Sequence, residues 1–476
     1  MPSTPPLRLH PARLLPAEPG LRDIARELYG AVRELPILSP HGHVPATLLL
    51  EDEPFGDPAS LFVTPDHYVT RLLHADGVPL AELGVGRTAE QGPPSETESR
   101  SIWRLLCERW AIFRGTPVRY WLDAELVEIF QITERPSAKT ADALYDHIQE
   151  RLGRPEFRPR ALFDRFGIEF LATTDDPADD LSAHASLAAD PTWSAQVAPT
   201  FRPDRYLEPG RPDWRAAVDH LGVVAGVEVG DYAGYIAALE ARRRYFIEHG
   251  AVSADHGHTD AVATPLEPTE AARIYASART GEATEAEVVA FRHHMLVEMA
   301  RMSCDDGLVM TLHPGSCRNH HAASHRAYGA DIGADIPQRT EYTRALRPLL
   351  ERYGTHPNLH LVLFTLDESV WSRELAPLAG FYPSVFVGAP WWFLDAPDAI
   401  SRFRDAVTET AGFSRTSGFI DDTRAFCSIP ARHDMARRLD ASYLARLVGE
   451  HRLDMDEALE TAVALVDEQP RRVFKL

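Results

Sequence analysis

The chain has 476 residues, 44% hydrophobic and 25% charged, which fits a folded protein with a sizeable core and excludes a largely disordered one. Its net charge of -21 disfavours nucleic acid and anionic membranes as partners, so a site for a small anion has to gather arginines locally against the overall field. No apolar run approaches a membrane span, the N-terminus lacks the apolar core of a signal peptide, and Cys107, Cys304, Cys317 and Cys427 include no Cys-x-x-Cys pair. A reduced, cytoplasmic protein without thiolate metal sites is expected.

Residues 1–20 read as an extended arm, and Leu21 to Arg33 as a helix with Leu21, Ile24, Ala25, Leu28 and Val32 on one face. The apolar run Pro36-Ile37-Leu38 then ends in His41-Gly42-His43. Two imidazoles one residue apart at a strand end project to the same side, as metal ligation needs, and Gly42 is expected to let the backbone come close. Taken alone, the pair fits a polar loop equally well.

Residues 45–160 show helical patterns instead of strands, with dense aromatics at Trp103, Trp110, Phe113, Tyr120 and Trp121. So long an excursion is expected to pack as a helical insertion over the mouth of the main domain. Beyond it the chain repeats an apolar run, a polar end and a helix, in runs near residues 167–177, 197–204, 251–258, 308–315, 359–367, 385–392 and 418–424. Helices are expected at Tyr232 to Glu248, Glu285 to Met302 and Tyr342 to Tyr353. With the first strand the runs number eight, which predicts an α/β fold of the (β/α)8 barrel type, with a doubly wound open sheet as the alternative. The expected division is 1–44 for the arm, helix and first strand, 45–160 for the insertion, and 161–476 for the rest of the barrel with C-terminal helices.

In a barrel the C-terminal strand ends build the active site. Those ends carry His41, His43, Asp175, Asp176, Arg202, Asp255, His256, His313, Arg318, Asp367, Trp391, Trp392, Asp422 and Arg424. Two histidines, one carboxylate and an open position suit a catalytic metal; Asp422 is the expected carboxylate because strand eight closes beside strand one. Asp421 competes, but strand alternation lets only one of the two face the centre. His256 and His258 fit a loop satisfied by backbone carbonyls as well as a catalytic role, Asp175 and Asp176 fit caps of a following helix, and the two tryptophans fit core packing. Arg318 and Arg424 form the local basic pocket that recognition of an acidic substrate requires.

Taken together, these motifs resemble the uronate isomerases, the glucuronate isomerase branch of the amidohydrolase superfamily. The resemblance spans essentially the whole chain. It rests on His41-Gly42-His43, Asp66-His67-Tyr68, Thr173 to Pro177, Phe201-Arg202-Pro203-Asp204, Ser253-Ala254-Asp255-His256, His313 to Arg318, Trp391-Trp392-Phe393 and Asp422-Thr423-Arg424-Ala425-Phe426. It implies conversion of D-glucuronate to D-fructuronate and of D-galacturonate to D-tagaturonate, with His41, His43 and Asp422 as ligands of one divalent metal, zinc ahead of manganese. It also implies catalytic roles for Asp422, Tyr68, Arg424 and His313, and substrate contacts from Arg318, Arg424, His313, Trp391, Asp255 and His256. A hexuronate is then the partner, and a homo-oligomer the expected assembly. Lysine occurs only at Lys139, in the insertion, and Lys475, at the C-terminus, so the lysine-bridged binuclear centre of many superfamily hydrolases is excluded. A mononuclear amidohydrolase or lactonase acting on a small acidic substrate is the alternative activity.

Overall fold

The computed structural model describes residues 6–88 and 91–476; of the expected N-terminal arm, residues 1–5 lie outside the described residues. The first helix is Pro19–Val32, opened by Glu18, whose side chain accepts a hydrogen bond from Leu21 N at 2.6 Å; Ala25, Leu28 and Val32 are its buried face. Nine short strands follow among the described residues: β1 Ile37–Ser39, β2 Ile168–Ala172, β3 Gln196–Ala198, β4 Ser253–His256, β5 Val309–Leu312, β6 Ser316–Cys317, β7 Ile336–Pro337, β8 Leu361–Leu363 and β9 Val385–Val387. No strand lies between β1 and β2 among the described residues; helices fill that stretch.

Two parallel sheets result, in the orders β1-β2-β3 and β4-β5-β8-β9, while β6 and β7 form a small antiparallel hairpin. Phe201 joins the two sheets, since its N donates to Ser253 O at 3.1 Å and its O accepts from Asp255 N at 2.9 Å. Strands β5, β8 and β9 are buried along their whole length, as parallel strands covered on both faces require. Val309, Met310 and Leu312 of β5, all three residues of β8 and all three of β9 are buried.

The expected eighth strand is a correction. Residues 418–424 form no ladder, and this segment touches its neighbours through single bonds: Ser417 N to Val387 O at 3.0 Å on one side and His43 N to Thr423 O at 3.0 Å on the other. The reason is local. Gly418 has φ 77° and Asp422 φ 42°, and a left-handed backbone interrupts the pleat that a ladder needs.

The helix Tyr232–Glu248 occurs with the expected limits, whereas the next runs on to Asp306 and the third begins only at Arg347. One large core surrounds β4, β5, β8 and β9. A second merges the insertion, through Trp103, Phe113, Trp121 and Phe130, with Ile37 of β1, Ile168 of β2 and Ile429 of the C-terminal helix Ile429–Gly449. Shared apolar contacts therefore hold the insertion against the first strands.

Candidate active site

The loop after β1 is tied down twice: Thr174 Oγ1 donates to Gly42 O at 2.8 Å, and His43 N to Thr423 O at 3.0 Å. This brings His41 Nε2 to 3.4 Å and His43 Nε2 to 3.0 Å from the same oxygen, Asp422 Oδ1. Ligand atoms of the three residues all lie within 4.8 Å of one another. Asp422 Oδ1 is buried and makes no hydrogen bond, so three lone-pair donors converge without satisfying each other. That donor set fits a single divalent cation of the zinc type. Gly42 is not what makes room for it, because a Cβ there would sit at ordinary contact distance, 3.5 Å from Ala172 O.

Burial pushes the Asp422 carboxyl up, but His41 and His43 outweigh it and hold it well below the usual range, as a carboxylate. Burial also pushes His43 down, towards the neutral form that ligates metals. Asp421 points away, its Oδ2 lying 3.0 Å from His433 Nε2 on the C-terminal helix. Of the two aspartates, Asp422 is the one that faces His41 and His43.

A second group adjoins the first. His313 Nδ1 lies 2.6 Å from Asp255 Oδ1, which also accepts from Thr311 Oγ1 at 2.8 Å, while Arg202 Nε stands 3.4 Å from Asp255 Oδ2. His41, Asp255 and His313 likewise place ligand atoms within 4.8 Å. Asp255 Oδ1 is shared by His313 and Thr311 while Oδ2 faces Arg202, so this group is a charge network gathered around one carboxylate. Burial alone would raise the Asp255 carboxyl; the charges of His313, His41 and Arg202 hold it well below the ordinary value. The His313 ring stacks on Phe364 at 4.0 Å and on His41 at 4.8 Å, and its Nε2 is buried without a partner.

These residues line a cavity of about 650 Å³, within the roughly 300–1,000 Å³ usual for small-molecule sites. A larger one of about 920 Å³ lies between the insertion and residues 328–332; it shares Arg424 and Asp331 but holds none of the histidines. In the same cavity lining Arg318 Nη1 is 2.9 Å from Asp335 Oδ2, and Arg424 Nη2 is 3.4 Å from Asp331 Oδ2. Burial raises Asp331, but Arg424 and Arg318 bring it below its ordinary value. The two aspartates were not singled out from the sequence, since they sit in a polar loop beyond β6 with no motif around them. Arg202 and His67, which stand in two of the motifs that carry the resemblance, also line the cavity.

Trp391 and Trp392 both face it. The strand has ended at Val387, and Trp392, at φ 53°, opens a short turn, so alternation no longer separates the indoles. Trp391 meets His313 edge-on at 4.7 Å, and Arg318 lies 5.0 Å above the Trp392 ring. Tyr68 enters from the insertion on the helix His67–Ala75, whose first turn is capped by Asp66 accepting from Tyr68 N at 2.8 Å. Burial pushes the Tyr68 phenol above its ordinary value.

His256 is a correction: it does not line the cavity, being fully buried with Nδ1 3.0 Å from Thr311 O, because alternation along β4 turns it away when Asp255 turns in. Asp175 and Asp176 also stay outside. Asp175 accepts from Thr173 Oγ1 at 2.6 Å, and Asp176 from Ala178 N at 2.9 Å in a local turn rather than a helix cap. Asp367 accepts from Ser369 N at 3.0 Å.

The model of the glucuronate isomerase family matches residues 21–467. A uronate isomerase of Cutibacterium acnes is 53% identical over 474 residues, covering 100% of both chains. The crystal structure of a glucuronate isomerase from Caulobacter crescentus superposes with a TM-score of 0.96 at 46% identity, over 99% of this chain and 97% of the other. A uronate isomerase structure from Thermotoga maritima gives a TM-score of 0.91 at 27% identity, over 98% and 99%. With a full-length match in sequence, fold and family model, the chain belongs to the glucuronate isomerase family.

Proposed function

We propose that this protein interconverts D-glucuronate with D-fructuronate and D-galacturonate with D-tagaturonate. The observation that carries the reading is one cavity lined both by His41, His43 and Asp422 and by Arg318 and Arg424, an arrangement suited to a sugar held by its carboxylate. His41, His43 and Asp422 would hold one divalent metal, zinc ahead of manganese, which when bound supplies a Lewis acid for substrate oxygens.

The remaining chemistry belongs to side chains. Asp422 presents Oδ1 to both histidines, leaving Oδ2 as the base that takes the hydroxyl proton when the sugar ring opens. His313, held through Nδ1 by Asp255, offers Nε2 to carry a proton between substrate atoms, and Tyr68 serves as the acid from above. Arg424 and Arg318 bind the uronate carboxylate and balance the charge that develops on an enediolate. Trp391 closes the pocket against His313.

Asp422→Asn is expected to lower kcat by at least ~10²-fold, the low end for a general acid-base group. Near-normal turnover in the folded variant would remove Asp422 from the mechanism. Assaying D-glucuronate in deuterated water, beside lactones and amides, separates the isomerase from a hydrolase: only the isomerase makes a ketose without taking up water.

A further inference from the structure

At the opposite ends of the strands from the active site, a cavity of about 810 Å³ opens among the segment before β1, the turn before β2 and the helix Ile429–Gly449. Six arginines line it, Arg8, Arg13, Arg33, Arg165, Arg437 and Arg438, against three carboxylates, Glu34, Glu128 and Asp434. That excess of positive charge is unexpected in a chain of net charge -21.

The three carboxylates are already engaged. Glu34 pairs with Arg33 at 2.6 Å, Glu128 with Arg13 at 3.0 Å, and Asp434 with Arg13 at 2.7 Å and Arg438 at 2.9 Å. Asp434 also accepts from the Tyr29 and Tyr120 hydroxyls. Among the described residues, no carboxylate lies within 4.0 Å of Arg8, Arg165 or Arg437. Arg165 donates only to the Glu128 and Ile129 carbonyls.

Arg437 forms the floor. It is 7% exposed, donates from Nη1 to Arg33 O at 3.0 Å and from Nη2 to Pro36 O at 2.8 Å, and leaves a buried Nε without a partner. Burial takes its guanidinium down to about 10, with Asp434, Tyr29 and Glu34 only partly offsetting it. A buried guanidinium whose hydrogen bonds all go to carbonyl oxygens, with carboxylates acting only from a distance, is incompletely compensated, and leaving it so is costly.

We infer that this cavity binds a phosphate-bearing small anion, inorganic phosphate or a phosphate monoester, on the guanidiniums of Arg8, Arg165 and Arg437. Three unanswered positive charges match a phosphate, with its charge of about -1.5 to -2 and three strong acceptor oxygens, better than a monoanionic carboxylate. Planar guanidinium forks suit phosphate oxygens bidentately. Arg8 and Arg165 are exposed, so they stand at the mouth where a ligand enters.

The test is calorimetric titration of the full chain at constant ionic strength, with inorganic phosphate in one arm and glucose 6-phosphate in the other. The protein carries Arg318→Met and Arg424→Met, which removes anion binding in the active site. One phosphate per chain is expected still to bind. Adding Arg437→Met, or the exposed pair Arg8→Gln and Arg165→Gln, is expected to weaken it by about 10- to 100-fold, as loss of charge-assisted hydrogen bonds does. Tighter binding of glucose 6-phosphate assigns the site to a monoester; equal binding assigns it to the free ion. Absence of binding in the Arg318/Arg424 background, or affinity unchanged by the substitutions around the second cavity, overturns the inference. Should Arg437→Met fail to fold, the Arg8/Arg165 pair decides alone.

Discussion

Asp255 shows how one buried carboxylate organises a neighbour's chemistry. It accepts from Thr311 and fixes His313 through Nδ1, so the unpartnered Nε2 has a defined lone pair or proton. Asp255→Asn removes the charge that holds the ring and leaves Arg202 with Asp204 as its remaining partner, at 3.2 Å. Its kcat is expected to fall ~10²-fold, with little change in KM, in steady-state assays. Arg424 has the complementary role. Arg424→Met should raise KM by ~10- to 100-fold, the worth of a charge-assisted hydrogen bond, and unchanged KM for the uronate would place the carboxylate elsewhere.

At the scale of elements, the helix Ile429–Gly449 supports the insertion from behind the active site. Its Arg432, 1% exposed, pairs with Asp395 at 2.6 Å and spreads over Trp121 at 3.6 Å, with Tyr68 5.0 Å away. Removing one partner of a buried pair costs roughly 3–5 kcal/mol. Burial already pushes the Asp395 carboxyl up to about 7, so without Arg432 it takes a proton instead of staying charged. Arg432→Met is therefore expected at the low end, about 3 kcal/mol by denaturant unfolding. Adding Asp395→Leu should recover most of that loss, and no recovery would show that stacking on Trp121 matters more than the ion pair. Arg318 directly follows β6, and the chain enters β6 through Gly315, φ 91°, where a Cβ would clash with Thr340 Oγ1. Gly315→Ala forces that loop to shift, and kcat/KM should drop by about tenfold or more, equivalent to ~1.4 kcal/mol of lost transition-state binding.

For the molecule as a whole, buried neutral histidines contribute to the loss of stability in acid. Burial pushes His67 down to about 3 and His184 and His256 to about 4, all from 6.5. Below pH 6.5 the unfolded chain binds protons at these positions and the folded chain does not, so their contribution to stability is complete above pH 6.5 and declines as pH falls towards 4 and 3. Tm should fall across that window, each histidine costing about 1.4 kcal/mol per pH unit. His184→Gln, outside the active-site cavity, should flatten the slope; an unchanged slope would mean that other groups govern it.

What the sequence determined by itself is what depends on local pattern and residue type: the apolar runs that became β1 to β5, β8 and β9, the His41-Gly42-His43 pair, and the exclusion of a lysine bridge. Lys475 indeed ends on the Gly307 and Asn358 carbonyls, outside the cavity. Only the tertiary structure decided which neighbour each side chain meets. A left-handed Asp422 replaced the eighth strand, and an undistinguished loop brought Asp331 and Asp335 to the arginines. Alternation in β4 sent Asp255 inward and His256 out, a choice that depends on which face of the strand is covered. The arginine-lined cavity joins residue 8 to residue 437, a separation over which no local pattern in the chain carries information.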